Sequence, residues 1–144
     1  MSFDRVIVDS AQMVLNNLTL GHSEKIYHKA LHAELACKGF NLTSEYHLAV
    51  CYKDSKGEEH ILESERIDIF IHRDPNSTFE EIKENNVLLE LKSIKSIGNG
   101  ESIQVQKYFN ELNKKNINIK IGYIINFPKE KKEIDIVKIE NRIN

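Results

Sequence analysis

The chain has 144 residues and a mass of 16.7 kDa, which suits one domain, 1–144, with a core of its own. It is 40% hydrophobic and 29% charged, which excludes a disordered chain, a collagen and a coiled coil. The formal charge of −2 does not mark a nucleic-acid binder, but residues 1–103 carry 11 basic against 17 acidic side chains and residues 104–144 carry 9 against 5.

No apolar run approaches the roughly 20 residues of a membrane span. The opening stretch holds Asp4, Arg5 and Asp9, unlike a signal peptide. Cys37 and Cys51 are the only cysteines. They read as reduced thiols in an intracellular, cytoplasmic setting, with the nucleus left open, and as buried small hydrophobes.

Residues 4–18 predict a first helix. Gly21, His22 and Ser23 interrupt it, and Ser23 can cap a second helix over 24–38. That helix carries Ile26, Ala30, Ala33 and Cys37 at one helical spacing and Tyr27, Leu31 and Leu35 at another, and Gly39 is a natural stop. Residues 44–52 predict a strand with Tyr46, Leu48, Val50 and Tyr52 on one face, and the run at 54–58 a turn. Residues 60–72 predict a second strand, with Ile67, Ile69 and Ile71 facing away from Arg66, Asp68 and Phe70. A polar connection over 73–85 leads to a strand over 86–94, where Leu88, Glu90 and Lys92 oppose Val87, Leu89 and Leu91.

Asn99 and Gly100 break the chain before a helix over 101–115, on which Gln104 and Tyr108 share a face. A β-branched strand over 118–126 and a short strand over 134–139 complete the order ααβββαββ. This is an α/β fold, a mixed β-sheet flanked by helices.

Chemistry concentrates in Asp68 and the Glu90-Leu91-Lys92 run. Strand period puts Glu90 and Lys92 on one face of a strand otherwise apolar enough to be buried. Unpaired buried charges are costly, so they must meet partners or a metal. Two carboxylates from adjacent strands can hold a hard cation through oxygen. A lysine beside them can orient or deprotonate a water, while the cation polarises a phosphoryl group. Structural ion pairs of Asp68 or Glu90 with Lys92 or Arg66 satisfy the same pattern.

The surrounding motifs narrow the choice. Gly21-His22-Ser23-Glu24-Lys25-Ile26-Tyr27 reads G-x-x-E-x-x-Y. Arg66-Ile67-Asp68-Ile69, Leu89-Glu90-Leu91-Lys92, Gln104-Val105-Gln106-Lys107-Tyr108 and Gly122-Tyr123-Ile124-Ile125-Asn126-Phe127 follow in order. Together, over about residues 18–127, these resemble the GxxExxY protein family, which is similar to the PD-(D/E)XK nuclease superfamily and its RecB-like branch.

The resemblance implies a restriction-endonuclease-like core and a Mg²⁺- or Mn²⁺-dependent nuclease acting on DNA, with RNA left open, in repair, recombination or replication. It implies that Asp68, Glu90 and the Leu91 carbonyl hold the metal with help from Glu24. Lys92 would be catalytic beside Glu24, Asp68, Glu90 and Gln104, and Gln104, Tyr108 and Arg66 would contact substrate. Gly21 and Tyr27 read as structural. No membrane contact is implied, and a homodimer or a partner protein stays open. The sequence departs from the family in the 21 residues between Asp68 and Glu90. The 73–86 segment reads as an insertion, harmless at the far end of the sheet and obstructive over the site.

Two other readings rank lower. His28 and His32 stand four apart on a helix near His22, a spacing that can bind zinc, but no further ligand stands at a characteristic distance. A non-catalytic nucleic-acid- or protein-binding module on the same scaffold is the alternative to an enzyme.

Overall fold

Ser2 opens the first helix, its hydroxyl accepting the Arg5 N–H at 3.1 Å. The structure, a computed structural model, describes residues 1–142. Helix α1 spans Phe3–Leu18 and buries Phe3, Val6, Ile7, Ala11, Val14 and Leu15 along one stripe. Helix α2 spans Glu24–Cys37 and buries Tyr27, Leu31 and Leu35. Of the other predicted stripe only Ala30 packs partly against the core; Ile26, Ala33 and Cys37 are exposed, so Cys37 is not the buried hydrophobe expected. One buried position on each of three successive turns seats the helix on the sheet, and Cys37 lies outside that stripe. Cys51 is half-buried, and both thiols are free.

Ser23 stands at the α2 N-cap, but its side chain makes no capping bond. Gly39, at φ 93°, ends the helix in the left-handed region that glycine enters without strain.

Strands β1 (Leu42–Lys53) and β2 (Glu59–Ile71) form a long antiparallel hairpin. A short helix, α3 (Glu80–Lys83), precedes β3 (Asn86–Lys92). Helix α4 spans Asn99–Lys114, so Asn99 and Gly100 are its first residues and not a break before it. Gly98 is the cap, and its N–H donates to the Glu101 carboxylate at 2.9 Å. Strands β4 (Ile119–Asn126) and β5 (Asp135–Glu140) follow.

The five strands lie in the order β1-β2-β3-β4-β5, with β3 and β4 parallel and the other pairs antiparallel. The parallel pair requires a crossover, which α4 supplies. The sheet divides the core. Helices α1 and α2 cover Ile69, Ile71, Val87, Leu89, Leu91, Tyr123 and Ile125 on one face. Helix α4 covers Phe70, Leu88 and Ile124 on the other.

Ile67 corrects the predicted alternation, because it packs with Phe70 on the α4 side and not with Ile69. The β1–β2 register passes from Ser44–Ile69 to Tyr46–Ile67 across Glu45, a non-glycine at φ 53°. Next to Glu45, Tyr46 stacks on Phe70 with ring centroids 4.1 Å apart.

Candidate active site

The site forms where two strands part. The β2–β3 ladder holds only the pairs Ile71–Val87, Phe70–Leu88 and Ile69–Leu89. Continued by one step, that register sets Asp68 opposite Glu90, on the face shared by Phe70 and Leu88. There the Asp68 carboxylate replaces a backbone acceptor, taking the Leu91 N–H at 2.7 Å. The Lys92 carbonyl accepts the Phe127 N–H at 2.9 Å and so points toward β4. Backbone groups alternate sides along a strand, so the Leu91 carbonyl points toward β2 and Asp68.

Glu90 is only 3% exposed. Its carboxyl is pushed up to about 9, first by burial and then by the negative charge of Asp68 and a hydrogen bond with it. Lys92 Nζ, 3.6 Å from Glu90 Oε2, opposes that rise without cancelling it. Glu90 Oε1 is buried with no hydrogen-bond partner among the described residues. Such an atom is held at a cost of about 1–3 kcal/mol.

Glu24 begins α2 and reaches the same fork. Burial of its carboxyl raises the pKa, the charge of Asp68 adds to the rise, and Lys92 and His28 counter it. The G-x-x-E-x-x-Y turn makes this approach. Tyr27 is buried and stacks on Phe127 with centroids 4.6 Å apart. Its hydroxyl donates to the Thr19 carbonyl at 2.7 Å and accepts the His22 N–H at 3.3 Å. Gly21, at φ 97°, lets the chain turn from α1 into α2.

Helix α4 closes the other side. Gln104 Nε2 donates to the Tyr108 hydroxyl at 2.8 Å, and that hydroxyl donates to the Arg66 carbonyl at 3.3 Å. Burial raises the Tyr108 pKa, and the charges of Glu90, Glu65 and Asp68 raise it further, so the phenol stays protonated facing the carboxylates. Lys107 draws α4 onto the hairpin, bonding Glu63 at 2.9 Å and Glu65 at 2.5 Å. The Arg66 guanidinium is exposed and lies 3.7 Å from Glu45.

The structure thus gathers Glu24, Asp68, Glu90, Leu91 and Lys92 at one fork, flanked by Gln104 and Tyr108, with the Arg66 side chain turned to the surface. Sequence reasoning passed over Asn126, the fully buried last residue of β4, paired with Lys92. Its Oδ1 accepts the Ile94 N–H at 2.9 Å, and its Nδ2 donates to the Ile94 carbonyl at 2.9 Å and to Asp135 at 3.0 Å. These bonds fix the chain just after Lys92. A buried amide ending a β-branched strand was the signal available.

The 73–85 connection lies at the opposite end of β3. There the Arg73 N–H donates to Asn86 Oδ1 at 2.8 Å, and Phe79 packs edge-on against Phe3. It leaves the fork open.

The donor set at the fork is all oxygen: two facing carboxylates, a peptide carbonyl and a third carboxylate nearby. This chemistry fits a hard divalent cation, and the orphaned Glu90 oxygen is what such an ion would satisfy. Glu24, Asp68 and Glu90 do not all close to the spacing found at the β1–β2 turn. There the ligand atoms of Asp54, Glu58 and His60 lie within 4.8 Å of one another. That trio is exposed or half-buried, and Asp54 is already bonded to His60 at 2.7 Å and to the Lys56 and Glu58 amides at 2.9 Å.

The model of the PD-(D/E)XK nuclease superfamily matches residues 2–139, and the chain belongs to that superfamily. A solved structure described as "Crystal structure of SSO0001" superposes with a TM-score of 0.57 at 15% sequence identity. The match covers 84% of this chain and 52% of that one, so the chain spans about half its length. At this identity the likeness concerns the fold alone. No curated protein matches the chain. No helix among the described residues is long and apolar enough to cross a membrane.

Proposed function

We propose that this protein is a nuclease that hydrolyses phosphodiester bonds of DNA with Mg²⁺ or Mn²⁺, inside the cell, in repair, recombination or replication. The observation that carries the reading is Glu90. A carboxylate buried against Asp68 with one oxygen unpartnered is costly, and a cation relieves it. The resemblance of the G-x-x-E-x-x-Y turn to the GxxExxY family and to RecB-like nucleases supports the same assignment.

Asp68, Glu90 and the Leu91 carbonyl would hold the ion, with Glu24 joining directly or through water. A bound divalent cation supplies positive charge that polarises a phosphoryl group and lowers the pKa of water. Lys92, held between Glu90 and the Asn126 clamp, orients or deprotonates the attacking water and offsets charge developing on the phosphate. Gln104 and Tyr108 line the edge where a nucleotide would lie, and Arg66 can meet a phosphate. Without the ion the carboxylates repel phosphate, so binding and cleavage both depend on it.

The second reading, a binding module without catalysis, alone or with a partner protein or second copy, draws on the acidic balance of residues 1–103. The deciding experiment offers single-stranded, duplex and branched DNA with Mg²⁺ or Mn²⁺, with Glu90→Ala as control. Metal-dependent cleavage lost in Glu90→Ala supports the enzyme. No cleavage and no calorimetric metal binding supports the module.

A further inference from the structure

One flank of α2 carries Glu24, His28 and His32, each four residues apart and so stacked on successive turns. The C-terminal end of this flank is anchored, because His32 Nδ1 shares a 2.6 Å hydrogen bond with Ser44 of β1. Ser44 lies across the ladder from Ile69, next to Asp68. The N-terminal end is Glu24, whose carboxyl feels the charges of Asp68, Lys92 and His28 together. His28 sits between these two fixed points. It is half-buried, and its Nε2 is enclosed with no hydrogen-bond partner among the described residues.

An enclosed imidazole nitrogen without a partner costs stability unless a partner arrives in another state of the site. The Glu24 carboxylate stands one turn earlier on the same flank of α2.

We propose that His28 is the positioning residue of the metal site: its Nε2–H donates to the Glu24 carboxylate and holds it toward Asp68 and Glu90 when a divalent cation binds. This rests on the metal-dependent reading above. Carboxylates that ligate metals are themselves held by hydrogen bonds, and removing such a holder costs 10- to 100-fold in metal affinity.

The test is calorimetric titration of Mn²⁺ into the wild type, His28→Ala, His28→Asn, His28→Gln, Glu24→Gln and the Glu24→Gln/His28→Ala double variant. His28→Ala and His28→Asn should bind Mn²⁺ about 10-fold or more weakly. Asparagine is too short to reach Glu24, so it carries the comparison if the alanine variant does not fold. Glutamine places an N–H near the Nε2 position and should restore most of the affinity. In the Glu24→Gln background, His28→Ala should change nothing further. Wild-type affinity in His28→Asn, or an equal loss with and without Glu24, overturns the role of His28 and leaves the nuclease reading standing. Absence of Mn²⁺ binding by the wild type overturns that reading and this role with it.

Discussion

The Asp68 carboxylate takes the Leu91 N–H at 2.7 Å, one step past the last β2–β3 pair, and thereby fixes one acid while the facing Glu90 keeps an unpartnered oxygen. The pair is asymmetric. Asp68 is held by the backbone of the strand that carries Glu90, whereas Glu90 meets side chains, Lys92 at 3.6 Å and Asp68 itself. Asp68→Ala should therefore both loosen the fork and abolish metal binding, whereas Glu90→Gln should abolish metal binding and leave the fold intact. Calorimetry beside thermal unfolding separates the two effects.

Glu90 sets a pH dependence. Its folded-state pKa, about 9, lies above its ordinary 4.5, so the folded protein binds the extra proton. The stability this contributes is fully present below about 4.5 and is lost as pH rises toward about 9. In chelator, Tm should fall across that window, at about 4 °C for each kcal/mol in a chain of this size. Glu90→Gln should flatten the fall, and added Mn²⁺ should restore Tm at the alkaline end. A wild-type slope matching that of Glu90→Gln would show that Glu90 does not hold the proton.

Lys92→Ala should leave metal binding measurable at saturating Mn²⁺ but slow cleavage about 10²–10³-fold, the usual cost of losing one charge-stabilising group. Single-turnover kinetics at saturating metal reads this directly. A comparable loss in Asn126→Ala would follow from release of the chain after Lys92, and there Lys92 itself remains.

Tyr108→Phe removes the hydroxyl that accepts from Gln104 and donates to the Arg66 carbonyl. Denaturant unfolding should show a loss of about 1 kcal/mol, that of a typical hydrogen bond. Cleavage should weaken more through substrate affinity than through the chemical step, since Gln104 loses its anchor and the carboxylates are untouched.

Gly122 tests the core behind the site. A Cβ there would meet Leu88 Cδ1 at 2.9 Å, Leu88 Cγ at 3.0 Å and Phe109 Cζ at 3.2 Å. Gly122→Ala should destabilise by about 1–3 kcal/mol through overpacking between β4 and α4. Chemical denaturation measures it, and an unchanged midpoint would mean that Leu88 and Phe109 move aside freely.

Much of this architecture was legible in the residues. The β-branched run at 119–126 and the stripe of Tyr27, Leu31 and Leu35 announce their elements because burial imposes their periods. Glu90 and Lys92 stand out because charge is costly in a strand that reads as buried. What the sequence hid depends on tertiary geometry. The alternation of β2 breaks around Asp68 and puts Ile67 on the other face from Ile69, and no local pattern encodes that break. Asn99 and Gly100 look like helix breakers, yet the Glu101–Gly98 bond holds them in the first turn of α4. Cys37 follows the helical spacing of Ala30, which does touch the core, yet is itself exposed. The spacing of His28 and His32 gives no sign that the His28 Nε2 is enclosed without a partner.

The long connection between β2 and β3 has a practical consequence. The Asp74–Ser77 turn is closed by its own bonds, Ser77 N–H to the Asp74 carbonyl at 3.0 Å and Asn76 N–H to the Asp74 carboxylate at 3.0 Å, and Pro75 and Asn76 are exposed. It stands at the edge where β3 begins, while the acids stand where β3 ends. A fluorophore, an affinity peptide or a surface tether attached at Asn76 would therefore leave the reactive rim free. Immobilised by this corner, the molecule would present its cleft outward to long polymers in solution.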